Sequence, residues 1–210
     1  MANRWIQRWK SGLCLCILAA FQAVSFASNP FLHPSEKDAS GVEFRGTEWN
    51  DEYAPKDIPL TAKVVTKEVT KTAWGGVYEI SFEDLHSKGT TKRAIPPLYL
   101  VVTDEVIALL NEEKMDEAVR RIAALEKAPA FEDTDVYGIS KGVKKLADAR
   151  SKTTVTVKGD ICTYLYSHES GGFTKLVWKK GVGLVEYGQG EGARKDGFRL
   201  KAEAAGKAAR

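Results

Sequence analysis

Along residues 77–83 (VYEISFE) a large apolar side chain recurs at every second position. Tyr78, Ile80 and Phe82 fall on one side of an extended backbone, and Val77, Glu79, Ser81 and Glu83 on the other. This is the period of a half-buried antiparallel strand. Upstream, residues 60–69 are rich in β-branched side chains and predict another strand, with Trp74-Gly75-Gly76 as a turn or bulge between the two. Residues 86–92 form a polar loop. Pro96-Pro97 stops any helix and introduces LYLVVT, a strand of the fully buried type. Residues 104–110 (DEVIALL) read either as the second arm of a hairpin or as the start of a helix capped by Thr103. The two polar residues between apolar runs in VVTDEV favour the hairpin arm.

The pattern then changes period. Met115, Ala118, Val119, Ile122 and Leu125 recur at spacings of three and four, which predicts an amphipathic helix over 112–127. Asn111 is its expected N-cap, Glu112-Glu113 suit its positive end, and Pro129 follows its end. A second, shorter helix is expected over 140–149 (SKGVKKLADA). The last third returns to alternation. TTVTV and ICTYLY flank Gly159-Asp160, a pair suited to a type II′ turn, which places Val157 opposite Cys162 and Val155 opposite Tyr164. FTKLVW and VGLVEY predict another hairpin, turning at Lys179-Lys180-Gly181. That register sets Trp178 beside Val182 and Leu176 beside Leu184 on one face, with Phe173 and Tyr187 together on the other. Residues 188–192 read as a wide turn, and GFRLK as a final strand. The fold class is α+β: mainly an antiparallel sheet or meander, with one amphipathic helix packed on it.

The glycines of residues 178–198 raise the question of a nucleotide site. A dinucleotide fingerprint needs a strand, then glycines, then a helix whose N-terminus takes the phosphate. Here ARKDGFRL follows, without helical periodicity, and there is no Gly-Lys-Ser/Thr. The hairpin accounts for the residues better. W-x-x-G-V-G-L-V-E-Y followed by G-A-x-x-D-G-F-x-L, within residues 172–201, resembles the closing segment of uncharacterised exported β-rich bacterial proteins. The resemblance implies an exported sheet protein and carries no activity with it.

Composition sharpens the setting. Arg4, Arg8 and Lys10 precede a short apolar run, residues 12–24, and Ser25-Phe26-Ala27 places small residues where a signal peptidase reads. The expectation is a signal peptide over 1–27, cleaved after Ala27, and a periplasmic or extracellular destination. The apolar run is shorter than the roughly 20 residues of a spanning helix, and no later run is long enough. A flexible linker (28–41), one globular domain (42–201) and a flexible tail (202–210) complete the expected organisation. The precursor carries 31 Lys+Arg against 28 Asp+Glu, and loss of the signal leaves 28 against 28. That balance argues against nucleic acid as a partner. The clusters Lys144-Lys145, Lys179-Lys180 and Arg194-Lys195 read as solvated surface. Two of the three cysteines leave with the signal, so Cys162 has no intrachain disulfide partner.

Candidate chemistry is sparse. Cys162 and His168 share one strand face six residues apart, about 20 Å at about 3.3 Å per residue, which rules out a dyad on a continuous strand. Cys162 reads as a core residue. His33, His86 and His168 are scattered, and Glu132-Asp133-Thr134-Asp135 lacks the rest of a calcium loop. Ser167-His168-Glu169-Ser170 holds triad residue types in adjacent positions, which cannot build triad geometry. GTEWNDEY (residues 46–53) sets Glu48, Asp51 and Glu52 among Trp49 and Tyr53, the mixture used by a glycosidase or a sugar-binding cleft. A segment docking its aromatics on a sheet has the same composition and is the favoured reading. No catalytic, cofactor-binding or metal-ligating residue is assigned, and no cofactor is expected. The functional expectation is a non-enzymatic exported domain binding an unknown ligand or an envelope protein. The alternatives are an exported hydrolase acting on carbohydrate and an envelope assembly subunit.

Overall fold

The computed structural model describes residues 29–32, 41–51, 54–88, 93–192 and 195–203. The expected signal peptide lies outside them. Six strands come before and six after the middle of the domain. The first six are β1 (Val42–Asn50), β2 (Ala54–Thr72), β3 (Gly75–Ser87), β4 (Leu98–Thr103), β5 (Val106–Leu109) and β6 (Val136–Ile139). The second six are β7 (Val143–Ala147), β8 (Ser151–Lys158), β9 (Ile161–His168), β10 (Phe173–Lys179), β11 (Gly183–Glu191) and β12 (Asp196–Ala202). Among the described residues they form one twelve-stranded sheet in the order β6-β5-β4-β3-β2-β1-β12-β11-β10-β9-β8-β7. All neighbours are antiparallel. Each half is a meander, and the first and last strands zip the halves together from Phe44 opposite Ala202 to Asn50 opposite Asp196.

This order forces curvature. β6 and β7 terminate opposite ends of the sheet, yet only residues 140–142 separate them. Laid flat, twelve strands about 4.8 Å apart would hold those ends roughly 50 Å from each other. The link from 139 to 143 reaches at most about 14 Å. The sheet therefore curls into a half-barrel until β6 lies against β8 and β9. The Tyr137 and Tyr164 rings sit 4.4 Å apart there, and the Trp178 indole N–H donates to the Tyr137 carbonyl at 3.0 Å.

The concave side is packed with side chains from both halves. Phe44, Leu60, Ile80 and Leu100 meet Leu176, Trp178 and Leu200, all completely buried. Tyr187 bridges the halves, edge-on to Phe198 at 5.1 Å and tilted against Phe82 at 5.4 Å. The single α-helix among the described residues, α1 (Met115–Ala123), lies on the convex side, where Ile122 packs with Val77 and Val101. Both faces of the 77–83 alternation are thus partly covered at β3.

Several expectations stand as drawn. The β4–β5 hairpin forms, with the Thr103 hydroxyl accepting from the backbone of Glu105 and Val106 at 3.2 and 3.0 Å. β8 and β9 pair with Val157 opposite Cys162 and Val155 opposite Tyr164. Gly159 at φ +58° supplies the turn conformation that glycine adopts without penalty.

Others need correction. The second helix expected over 140–149 is strand β7. Its backbone pairs with β8, and the Asp148 carboxylate accepts from the Arg150 and Ser151 amides at 2.7 Å, closing the turn between the two strands. The α1 helix is shorter than 112–127 and is not capped by Asn111. The Leu110 amide is still held in the sheet by the Tyr99 carbonyl at 2.7 Å, so the chain stays extended past it. At the other end, the Leu125 carbonyl accepts from the Trp74 indole at 3.0 Å instead of continuing the helix. The β10–β11 register also differs. Trp178 faces Leu184, Leu176 faces Tyr187 and Phe173 faces Gly190, with a bulge next to Trp178. Gly181 and Gly183, at φ +68° and +98°, move the turn one residue along the chain. Residues 29–32, placed in a flexible linker by the sequence pattern, are docked instead. Phe31 is wholly buried, the Asn29 amide donates to the Thr103 carbonyl at 2.9 Å, and the Pro30 carbonyl accepts from Gly181.

Candidate functional site

The segment 46–53 splits its chemistry across the sheet, because neighbouring residues of a strand point to opposite faces. Glu48 turns into the half-barrel opposite Phe198, and Trp49 turns outward opposite Gly197. Asp51 is exposed in the turn after β1, and Glu52 and Tyr53 lie outside the described residues. The Glu48 carboxylate and the Trp49 ring, on adjacent residues, therefore do not share a cleft.

Inside, Glu48 has no exposure at all. One carboxylate oxygen accepts from the Ser87 hydroxyl, and the other from Arg93 Nε at 2.8 Å. The same guanidinium turns its other nitrogens to Asp196, and its Cζ lies 5.6 Å from the Phe198 ring centre. Asn50 donates to Asp196 at 3.0 Å. Partial burial works to raise the Asp196 carboxyl. The hydrogen bonds from Arg93 and Asn50, with the Arg93 charge, outweigh it and hold the group below the usual aspartate value. Two carboxylates do converge here, on one arginine. Both Glu48 oxygens are engaged and sealed from solvent, so neither is left for a substrate proton or a water. The arrangement is that of an internal ionic clamp between β1, β12, the end of β3 and residue 93.

Outside, Trp49 and Phe173 lie nearly parallel, 20° between planes and 6.3 Å between centres. The Arg199 guanidinium covers both rings, 5.6 Å from the Trp49 centre and 5.1 Å from that of Phe173. Beside them opens a cleft of about 330 Å³, whose walls include Thr47, Asp57, Glu191 and Arg199. The glycines make this layer possible. A Cβ on Gly190 would stand 2.6 Å from Phe173 Cε1, and one on Gly197 would stand 2.4 Å from Trp49 Cζ2. The bare backbone of β11 and β12 is the bed on which the rings rest. β11 continues through Glu191, so Gly188 and Gly190 are strand residues where a wide turn over 188–192 was expected.

The remaining candidates are separate from both places. Cys162 is wholly buried, its thiol pushed up by burial against a counteracting hydrogen bond with Ile139. His168 ends the same strand and bonds Ser170 at 2.8 Å within its own turn. Asp133 pairs with Lys144 at 2.7 Å. Among the described residues no three His, Cys, Asp or Glu side chains are grouped to hold a metal ion, and no helix is long and apolar enough to cross a membrane. Arg93, Arg199 and Asp196 were not singled out by the sequence reading, and Phe173, expected beside Tyr187, lies beside Trp49 instead. The one local signal for the outer layer was the period-two spacing of Gly188 and Gly190 inside an alternating strand. The chain matches no protein-family model, and no curated protein or solved structure is significantly similar to it.

Proposed function

We propose that the chain is an exported, non-enzymatic binding protein and that the outer cleft at Trp49, Phe173 and Arg199 is its ligand site, with a saccharide as ligand class. The observation that carries this reading is the aromatic pair laid on glycine backbone beside a polar-walled cleft. Trp49, 6% exposed, backs the layer, and the partly exposed Phe173 ring offers the apolar surface for the C–H face of a sugar ring, while Asp57, Glu191, Thr47 and Arg199 supply acceptors and donors for its hydroxyls. The cleft volume suits one sugar ring held at the surface of a longer chain. Export rests on the residue pattern of positions 1–27 and on the resemblance over 172–201. The hydrolase alternative finds no support in the sealed Glu48 clamp, and the side chains filling the half-barrel leave an enclosed apolar ligand without a motivating observation.

The test is calorimetric titration of the protein recovered from its exporting host with a panel of neutral and anionic oligosaccharides. Phe173→Ala and Arg199→Ala are run alongside. Saturable binding to one class, lost in both variants, is the expected result. Equal binding by the variants, or no binding across the panel, sinks the assignment of this cleft.

A further inference from the structure

A second surface lies on the convex side of β7–β10. The ladder registers place Val143 and Lys145 of β7, the even-numbered residues 152–158 of β8, the odd-numbered residues 161–167 of β9 and the odd-numbered residues 173–179 of β10 on one continuous face. That face carries Lys145, Lys152, Lys158, Lys175 and Lys179 and no Asp or Glu. Lys175 is paired with Glu186 of the next strand at 2.8 Å. The other four make no ion pair among the described residues. The acids nearest the two ends are engaged elsewhere, Asp160 with Lys180 and Glu169 with Arg150. Elsewhere on the sheet the charges are mixed, as in Lys67 with Glu83 and Arg45 with Glu203.

Between the lysines the face is not polar throughout. Leu165 is 42% exposed and Val143 57%. A shallow hollow of about 430 Å³ lies between Lys152 and Lys158, floored by Thr154, Thr156 and Thr163 with Leu165 on its wall. We infer that this face docks on an anionic lipid bilayer. Four unpaired ammonium groups meet headgroup phosphates, the threonine hydroxyls donate to them, and Leu165 and Val143 enter the interfacial layer. Charge alone fits any polyanion. The exposed Leu165 among the lysines, with Val143 on the edge strand beside Lys145, favours a surface with an apolar layer beneath its charges. Adjacent strands bring together lysines up to 34 residues apart, and no stretch of sequence holds the pattern.

The test is sedimentation with vesicles of phosphatidylcholine alone and of phosphatidylcholine with one third phosphatidylglycerol. The recovered chain is first weighed by mass spectrometry, so that every variant is compared in the same processed form. Binding to the anionic vesicles only, abolished in 1 M salt, is expected, because the screening length there falls to about 3 Å. Each of Lys145→Gln, Lys152→Gln, Lys158→Gln and Lys179→Gln should weaken binding roughly 5-fold, and the quadruple variant more than a hundredfold. Lys67→Gln, on β2, should leave it unchanged. Leu165→Gln should weaken binding without changing its salt dependence. Equal partition to both vesicle types, or a quadruple variant that binds as the parent does, overturns the proposal. So does equally tight binding to single-stranded DNA that is indifferent to Leu165→Gln, which would make the face a site for polyanions in general. None of these readouts depends on the saccharide cleft.

Discussion

Arg93→Met is the sharpest test of how the half-barrel is held together. The substitution keeps the length and apolar stem of the side chain and removes the guanidinium. Glu48, with zero exposure, then keeps only the Ser87 hydroxyl of its two partners among the described residues. At charge separations near 4 Å and an effective dielectric of about 20, the lost attraction is about 4 kcal/mol. Breaking a buried pair from one side costs about 3–5 kcal/mol, because the stranded charge stays buried. For a domain of this size that is a fall in melting temperature on the order of 10 °C. Urea unfolding at neutral pH, with the slope against denaturant unchanged, measures it. The cycle is completed with Glu48→Gln and the double variant. Removing both charges should cost at least about 2 kcal/mol less than the sum of the single changes. A loss below about 1 kcal/mol for Arg93→Met, or strict additivity, would falsify the view of residues 48, 87, 93 and 196 as a coupled clamp.

Three further outcomes follow from the same geometry. Asp196 has its folded-state value depressed, so its contribution is complete above about pH 4 and lost as pH falls through the lower folded value; Asp196→Asn should flatten the acid limb of stability against pH. Burial, aided by Glu68, pushes Tyr78 up to about 12, and burial, aided by Tyr137, does the same for Tyr187. The protonated phenols are favoured in the fold, so stability is complete below pH 10 and declines towards pH 12; ultraviolet titration should show both tyrosines ionising late, and Tyr187→Phe should reduce the alkaline decline. Gly197→Ala drives a methyl into the Trp49 ring and should cost about 1–3 kcal/mol by overpacking, read by urea unfolding, with a change in tryptophan emission; a neutral substitution would mean that the ring does not rest on that backbone.

The sequence by itself determined what is local. Alternation at residues 77–83, the turn pairs at 104–105 and 159–160, and the mixed period of 112–127 each report a backbone state that depends on near neighbours. Most of the described strands and α1 were legible for that reason. β7 was not, because VKKLA satisfies a helical period as well as a strand period, and the free edge of β8 decided between them. The residues 29–32 read as linker because nothing local shows that Phe31 joins the core of the half-barrel. Both faces of the 46–53 segment had the same limit. Trp49 and Glu48 were visible as types, but their partners Phe173, Arg199, Arg93 and Asp196 lie 45 to 150 positions away in the chain. Which acid is clamped, which ring is bedded on glycine and which lysines share a face depend on strand order and register. Those, and the curl that they impose to join β6 to β7, are long-range conditions that no window of residues contains.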